Sequence, residues 1–290
     1  MTHVTAQDGT RLYVEESGSG HPILFLHEFA GDHRSWAGQV KRFSGTHRCV
    51  VPAARGYPPS GAPDNAAAYG YKIAAADAIA VLDGLGIARA HVVGLSMGAY
   101  TGLILAMRHP ERISALVAAA GGSGSHPRGG TAYRAETQQR ADAMLAAGKF
   151  PADEVANGPT RVQLKRKNPP AWREFRDQLA EHPVIGSAHV LRHYDGARPS
   201  IYTFEDALSK VAVPTLLMIG DKDDAVIEIN VWLKRTMPAA GLEVWPMSGH
   251  VLNLEEPGEF NDSMAKFFDA VAAGTWPSRQ PHPAATRKTG

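Results

Sequence analysis

The chain has 290 residues, 44% hydrophobic and 20% charged, enough for a sizeable core in one large α/β domain or a domain carrying an insertion. Its net charge of +1 excludes a broad electrostatic pull on nucleic acid or a membrane surface. The single cysteine, Cys49, excludes an intrachain disulfide and reads as a buried thiol beside Val50 and Val51.

The N-terminal residues lack the basic start and apolar run of a signal peptide, and no apolar run is long enough to span a bilayer. The default expectation is a cytoplasmic location. Residues 2–17 read as a hairpin around Asp8-Gly9, a strong turn dipeptide. Ile23-Leu24-Phe25-Leu26 is a continuous apolar run, as in a strand buried on both faces, and His27-Glu28-Phe29-Ala30-Gly31 follows it. A helix is predicted over 34–43, a buried strand over 47–53, and a loop through Arg55-Gly56-Tyr57-Pro58-Pro59-Ser60-Gly61. Helical periodicity covers 71–85 and ends at Gly86.

Next comes a short β-branched strand, a tight turn and a helix start, with Gly94-Leu95-Ser96-Met97-Gly98 at the apex. This is a match to G-x-S-x-G. A serine on so sharp a turn has a strained backbone and an exposed hydroxyl, and the flanking glycines remove side chains that would clash. The helix stops near His109-Pro110, and 113–120 is the next strand. Alternating strands and helices predict a mostly parallel sheet with helices on both faces and the first hairpin as its antiparallel edge. Past a flexible exit at 121–124, helical stretches are predicted at 131–147, 151–157 and 169–181, a helical insertion without a strand pair. The α/β pattern resumes with a strand at 213–219, a helix at 226–236, a strand at 242–245 and a helix at 256–273. The polar, proline-bearing end reads as disordered.

A serine hydroxyl is a poor nucleophile at neutral pH and needs a base, which in turn needs an orienting acid. Gly220-Asp221-Lys222-Asp223-Asp224 and Ser248-Gly249-His250 each follow a strand end, where reactive groups of such sheets lie. The order serine, acid, histidine is that of α/β-hydrolases.

On these motifs, with His27 to Gly31, Trp36, Arg55 to Ser60, and Glu256-Pro257, the chain resembles the α/β-hydrolase fold superfamily over about residues 5–273. The likeness is to the capped subgroup of esterases, haloperoxidase-like enzymes and carbon–carbon bond hydrolases. It implies an eight-stranded, mostly parallel sheet with a helical cap inserted after strand 6. The core then comprises 1–122 and 208–275, the cap 123–207, and a flexible tail 276–290. It picks Asp223 as the acid, three residues after the strand-ending glycine, with Asp221 and Asp224 as competitors. It makes Ser96 the nucleophile, His250 the base, and the amides of Met97 and Phe29 the oxyanion hole. Two departures stand out. The usual His-Gly of the loop is His27-Glu28, and Ala53 stands where many relatives have aspartate. Serine at the elbow, where epoxide hydrolases and haloalkane dehalogenases use aspartate, points to acyl chemistry.

The resulting expectation is a serine hydrolase of a small-molecule ester. Carbon–carbon bond, lactone or amide hydrolysis are alternatives, and a ligand receptor with a vestigial triad is the reading from another class. No cofactor, metal, nucleic acid or membrane is implied, and a homodimer is left open. His27 reads as a loop-orienting residue. His189 and His193 share a helix face without an evident third metal ligand, and read as pocket residues with Glu28, Tyr100 and Val251. Arg192, Arg198 and Tyr202 are weaker pocket candidates. Gly121 to Gly124 lacks dinucleotide-binding spacing, and Lys165-Arg166-Lys167 reads as a solvated face.

Overall fold

Alternating residues on either side of Asp8-Gly9 fold the first segment into a hairpin. β1 (Thr2–Thr5) pairs antiparallel with β2 (Arg11–Ser17), Val4 opposite Leu12. The structure, a computed structural model, describes residues 2–126 and 130–278. The apolar run at 23–26 forms the buried part of β3 (His21–Leu26). A 3₁₀ turn over His33–Trp36, capped by the Asp32 carboxylate, leads into α1 (Ala37–Phe43). Then come β4 (His47–Pro52), α2 (Tyr71–Gly84), β5 (Ala90–Leu95), α3 (Met97–Arg108) and β6 (Ile113–Ala119).

After β6 the chain is helical. It runs through α4 (Gly130–Ala147), α5 (Ala152–Ala156), α6 (Val162–Lys167), α7 (Pro169–Leu179), α8 (Val184–His189), a π-helix (Val190–Asp195), a 3₁₀ turn (Ile201–Phe204) and α9 (Glu205–Leu208). Three of these coincide with the expected stretches. α6 is six residues long with only two apolar positions, too few to show a period, while α8 and the π-helix form one continuous run over 184–195 that extends the helix face shared by His189 and His193. The chain ends with β7 (Thr215–Gly220), α10 (Asp224–Thr236), β8 (Ala240–Trp245), α11 (Leu252–Glu255) and α12 (Pro257–Ala272).

The described strands form one eight-stranded sheet in the order β1-β2-β4-β3-β5-β6-β7-β8. β2 is antiparallel to β1 and to β4, and every pairing from β4 to β8 is parallel. Strands buried on both faces need no alternation, which is why β3, β5 and β7 read as apolar runs. α1 and α12 pack together against β4 and β6, while α2 and α3 form a second group against β1, β2, β3, β5 and β6. The aromatic centre of the first group is Phe25, Trp36 and Phe260, with ring centroids 5.2 and 6.1 Å apart. Cys49 is fully buried, and burial pushes its thiol up to about 11, so it is an unreactive core group.

The strand order reverses between β3 and β5, and ligand sites of open parallel sheets lie in the crevice at such a reversal. At the other end of the chain, order extends further than the composition implies. Trp276, in the segment read as a tail, packs on Phe267 and donates its indole N–H to the Ala239 carbonyl at 2.8 Å. The rest of that expectation, residues 279–290, lies outside the described residues.

Candidate active site

The serine turn is built by close backbone approach. A Cβ on Gly98 would lie 2.0 Å from the Leu26 carbonyl oxygen, and one on Gly94 would lie 2.3 Å from the Gly98 carbonyl. Both spacings of G-x-S-x-G therefore follow from α3 starting directly over β3 and β5. Ser96 takes up the sharp reversal at φ 52° and ψ −104°, a strained region for a residue with a side chain. Its amide donates to Ala119 O at 2.8 Å and its carbonyl accepts from the Tyr100 amide at 3.0 Å. Ser96 is half-buried while every other residue from 91 to 100 is buried, so the turn presents the hydroxyl.

Asp223 follows β7 and His250 follows β8, and the structure brings them into contact. His250 Nδ1 donates to Asp223 Oδ2 at 2.5 Å, with both residues buried. Of the competing acids, Asp224 is exposed at the start of α10, and Asp221 lies 3.7 Å from Lys222. Burial opposes a charge on the His250 ring. The charge of Asp223, its hydrogen bond and the charge of Glu28 outweigh that, holding His250 above the usual histidine value, while Arg161 pulls the other way.

Glu255 was not anticipated. Its carboxylate accepts the amides of Gly249 at 2.7 Å and Val251 at 3.3 Å, and so holds the residues on either side of His250. No motif marks it; only its position five residues beyond the histidine could have. Val251 is fully buried within this turn. Lys167, read as part of a solvated face, instead donates to Ser248 Oγ at 2.9 Å and pairs with Glu256. Its four-carbon stem lets a basic helix reach the histidine loop.

Met97 is the first residue of α3, where amides have no partner within the helix. Phe29 lies in the loop after β3, its carbonyl held by the Tyr57 hydroxyl at 2.9 Å. His27 donates from Nδ1 to Glu28 O at 2.7 Å and accepts the Ala54 amide on Nε2 at 2.9 Å. Burial pushes it down to about 4, so it is a neutral ring with both nitrogens engaged and orients this loop. Glu28 is 1% exposed. Its Oε2 pairs with the Arg161 guanidinium and lies 3.7 Å from His250 Nε2. Arg161, just before α6, is the second residue that the sequence did not single out.

The helical segment 130–208 covers this end of the sheet. Thr160 O accepts the His250 amide at 2.9 Å, and the Tyr194 hydroxyl bonds Met97 O at 2.8 Å. The Tyr100 hydroxyl bonds Pro199 O at 2.9 Å, with Arg198 over its ring, so Tyr100 serves the contact between core and helical segment. His189 and His193 have ring centroids 5.6 Å apart; His189 stacks on Tyr69 and sits 3.4 Å from Asp64. Among the described residues no three such side chains are spaced to hold a metal ion. Tyr202 packs on Trp232, and Arg192 pairs with Asp142. A largely apolar cavity of about 190 Å³ lies beside Phe29, lined by Met144, Phe150 and Leu191 with Arg140 and Lys149. A second, of about 70 Å³, lies behind Met97 and Gly98 and includes Ala53. There Ala53 faces α2 residues Ala74, Asp77 and Ala78 across the cavity.

A parallel sheet with a serine turn after β5, an acid after β7 and a histidine after β8 is the architecture of α/β-hydrolases. The sequence profile of the alpha/beta hydrolase fold family matches residues 21–257, and the chain belongs to that family. It is 26% identical over 275 residues to a putative 2-succinyl-6-hydroxy-2,4-cyclohexadiene-1-carboxylate synthase of Bacillus subtilis, across 93% of this chain and 98% of the relative. It is also 26% identical over 274 residues to 3-oxoadipate enol-lactonase 1 of Acinetobacter baylyi, across 92% and 97%. Its fold matches that of a thermophilic esterase from Thermogutta terrifontis with a TM-score of 0.82 at 23% identity, across 93% and 98%. No helix among the described residues is long and apolar enough to cross a membrane.

Proposed function

We propose that this α/β hydrolase cleaves a carboxylic ester of a small molecule through an acyl-enzyme intermediate on Ser96. The observation that carries the proposal is the 2.5 Å hydrogen bond from His250 Nδ1 to buried Asp223. It fixes the ring's tautomer and leaves Nε2 as the nitrogen that accepts the serine proton. Ser96 Oγ attacks the ester carbonyl as Nε2 takes its proton, and the amides of Met97 and Phe29 receive the developing oxyanion. Such donors are worth roughly 2.7–4 kcal/mol each. Nε2 returns the proton to the departing alcohol, then draws one from the water that releases the acid. The helical segment acts as a cap, and the cavity beside Phe29 adjoins the oxyanion donor, with Met144, Phe150 and Leu191 as its apolar wall and Arg140, Lys149 and Glu154 as its charged one. A lactone is the same bond closed into a ring, and similarity to an enol-lactonase brings lactones into the substrate panel.

The test is labelling with a fluorophosphonate, mapping of the modified peptide, and assay on short- and medium-chain p-nitrophenyl esters and lactones. Labelling at Ser96 with matching loss of turnover is expected, and Ser96→Ala abolishes both. Turnover retained by Ser96→Ala would overturn the mechanism, and binding without labelling or turnover would favour a receptor.

A further inference from the structure

The loop after β3 carries glutamate at a position next to the proposed oxyanion donor Phe29. A carboxylate at a site meant to receive negative charge opposes that charge, and burying it without a partner is unfavourable. The side chain is nevertheless almost wholly buried. Its environment shows what it does there. Oε2 pairs with Arg161 and stands 3.7 Å from His250 Nε2, the nitrogen opposite the one bonded to Asp223. The imidazole therefore lies between two carboxylates, one at each nitrogen. Arg161 belongs to the helical segment, and its neighbour Thr160 accepts the His250 amide. The same two-residue stretch thus holds the histidine backbone and neutralises the second carboxylate.

We propose that Glu28 is a positioning residue for His250, a second carboxylate held at Nε2 by Arg161, and that this pair sets the pH above which the histidine serves as a base. The inference rests on the serine-hydrolase reading for its kinetic readout. Glu28 favours the imidazolium, which must lose its proton before it can accept one from Ser96, and Arg161 limits that effect. Other charges near the ring have partners of their own. Asp223 is bonded to Nδ1, Glu255 to two backbone amides, and Asp195 to Arg198 at 2.8 Å. Lys167 is paired with Glu256. Changes at positions 28 and 161 therefore act on the ring with the rest of its surroundings in place.

The experiment is the pH profile of kcat/KM for p-nitrophenyl acetate in the full chain, for wild type, Glu28→Gln, Arg161→Gln and the double variant. A charge within about 4–6 Å moves a titration by about one pH unit or more. Glu28→Gln is expected to move the acid limb down by about one unit and Arg161→Gln to move it up. The double variant should lie between, and Arg161→Lys should restore the wild-type limb. A residue that merely pins the helical segment would lower activity or stability without moving the limb. Superimposed limbs, or both single variants moving the same way, would overturn the proposal. Should Glu28→Gln not fold, Glu28→Gly supplies the same comparison. An NMR titration of the His250 ring in wild type and Arg161→Gln needs no turnover. It decides the point even if Ser96 proves unreactive, so failure of the hydrolase reading and failure of this inference are told apart. An unshifted ring titration would overturn the inference.

Discussion

The hydroxyl of Tyr194 lies 2.8 Å from the carbonyl oxygen of Met97 and 2.8 Å from Thr101 Oγ1. Tyr194 sits on the π-helix and Met97 opens the helix behind the serine turn, so the helical segment grips the turn through one side chain. Tyr194→Phe leaves Met97 O with the Thr101 hydroxyl at 3.1 Å. Removing the buried bond should cost about 1 kcal/mol of stability. If the turn shifts with it, kcat should fall by up to about tenfold with KM little changed. Thermal unfolding and steady-state kinetics on one ester measure both.

The acid assignment separates two adjacent residues cleanly. Asp223→Asn should leave the fold intact and lower kcat by roughly 10⁴, because the amide no longer holds the histidine tautomer. Asp224→Asn, at an exposed helix start, should leave kcat within a factor of two or so. Parallel kinetics on the pair check this, and the reverse order would move the acid to position 224.

Arg55 is a buried junction. It bonds Asp77 through two nitrogens at 2.8 and 2.9 Å and pairs with Asp8 at the hairpin turn. It thereby ties the edge hairpin to α2. Arg55→Met removes the guanidinium that lies between two carboxylates, and should destabilise the protein by about 3–5 kcal/mol. Urea unfolding at neutral pH measures this. Its partner Asp8 is held well below the usual carboxylate range by Arg55, so the contact weakens as acid protonates Asp8.

The opposite end of the sheet is sensitive to acid for a different reason. His91 is buried, stacked on Phe268 at 4.2 Å, and shares Ser114 Oγ with His21. Burial, with His21 and His47 nearby, pushes His91 down to about 3, and burial lowers His21 and His47 as well. The unfolded chain takes up these protons near pH 6.5, while folded His91 refuses its proton until about 3. The contribution of His91 is therefore full above 6.5 and is lost as pH drops toward 3, with a slope approaching ~1.4 kcal/mol per pH unit. His91→Gln should make the loss between pH 7 and pH 5 shallower, as read from urea midpoints at the two values.

Much of this architecture was legible because it depends on local patterns. β3, β5 and β7 are continuous apolar runs, the serine turn needs glycine on both sides, and the histidine follows a strand end. The acid was harder, since three aspartates share one loop and only tertiary packing buries Asp223 while exposing Asp224. α6 left no periodic trace in its six residues, and the run over 184–195 changes from α to π winding at Val190, which a fixed 3.6-residue period does not describe. Glu28 was visible as a departure, yet its partner Arg161 lies 133 positions away, and nothing in the spacing links them. Glu255 was invisible because it binds backbone amides, which any sequence supplies.

The contacts of Thr160 and Arg161 bear on how this fold can be recombined. The helical segment 130–208 is one continuous stretch between β6 and β7, so it can be exchanged as a unit. Here the graft would also carry away the carbonyl that anchors the His250 amide and the counter-charge for Glu28. A chimera built on this core must bring an arginine to the same place, or be made together with Glu28→Gly. Otherwise it inherits an uncompensated acid beside its base, whatever its new pocket fits.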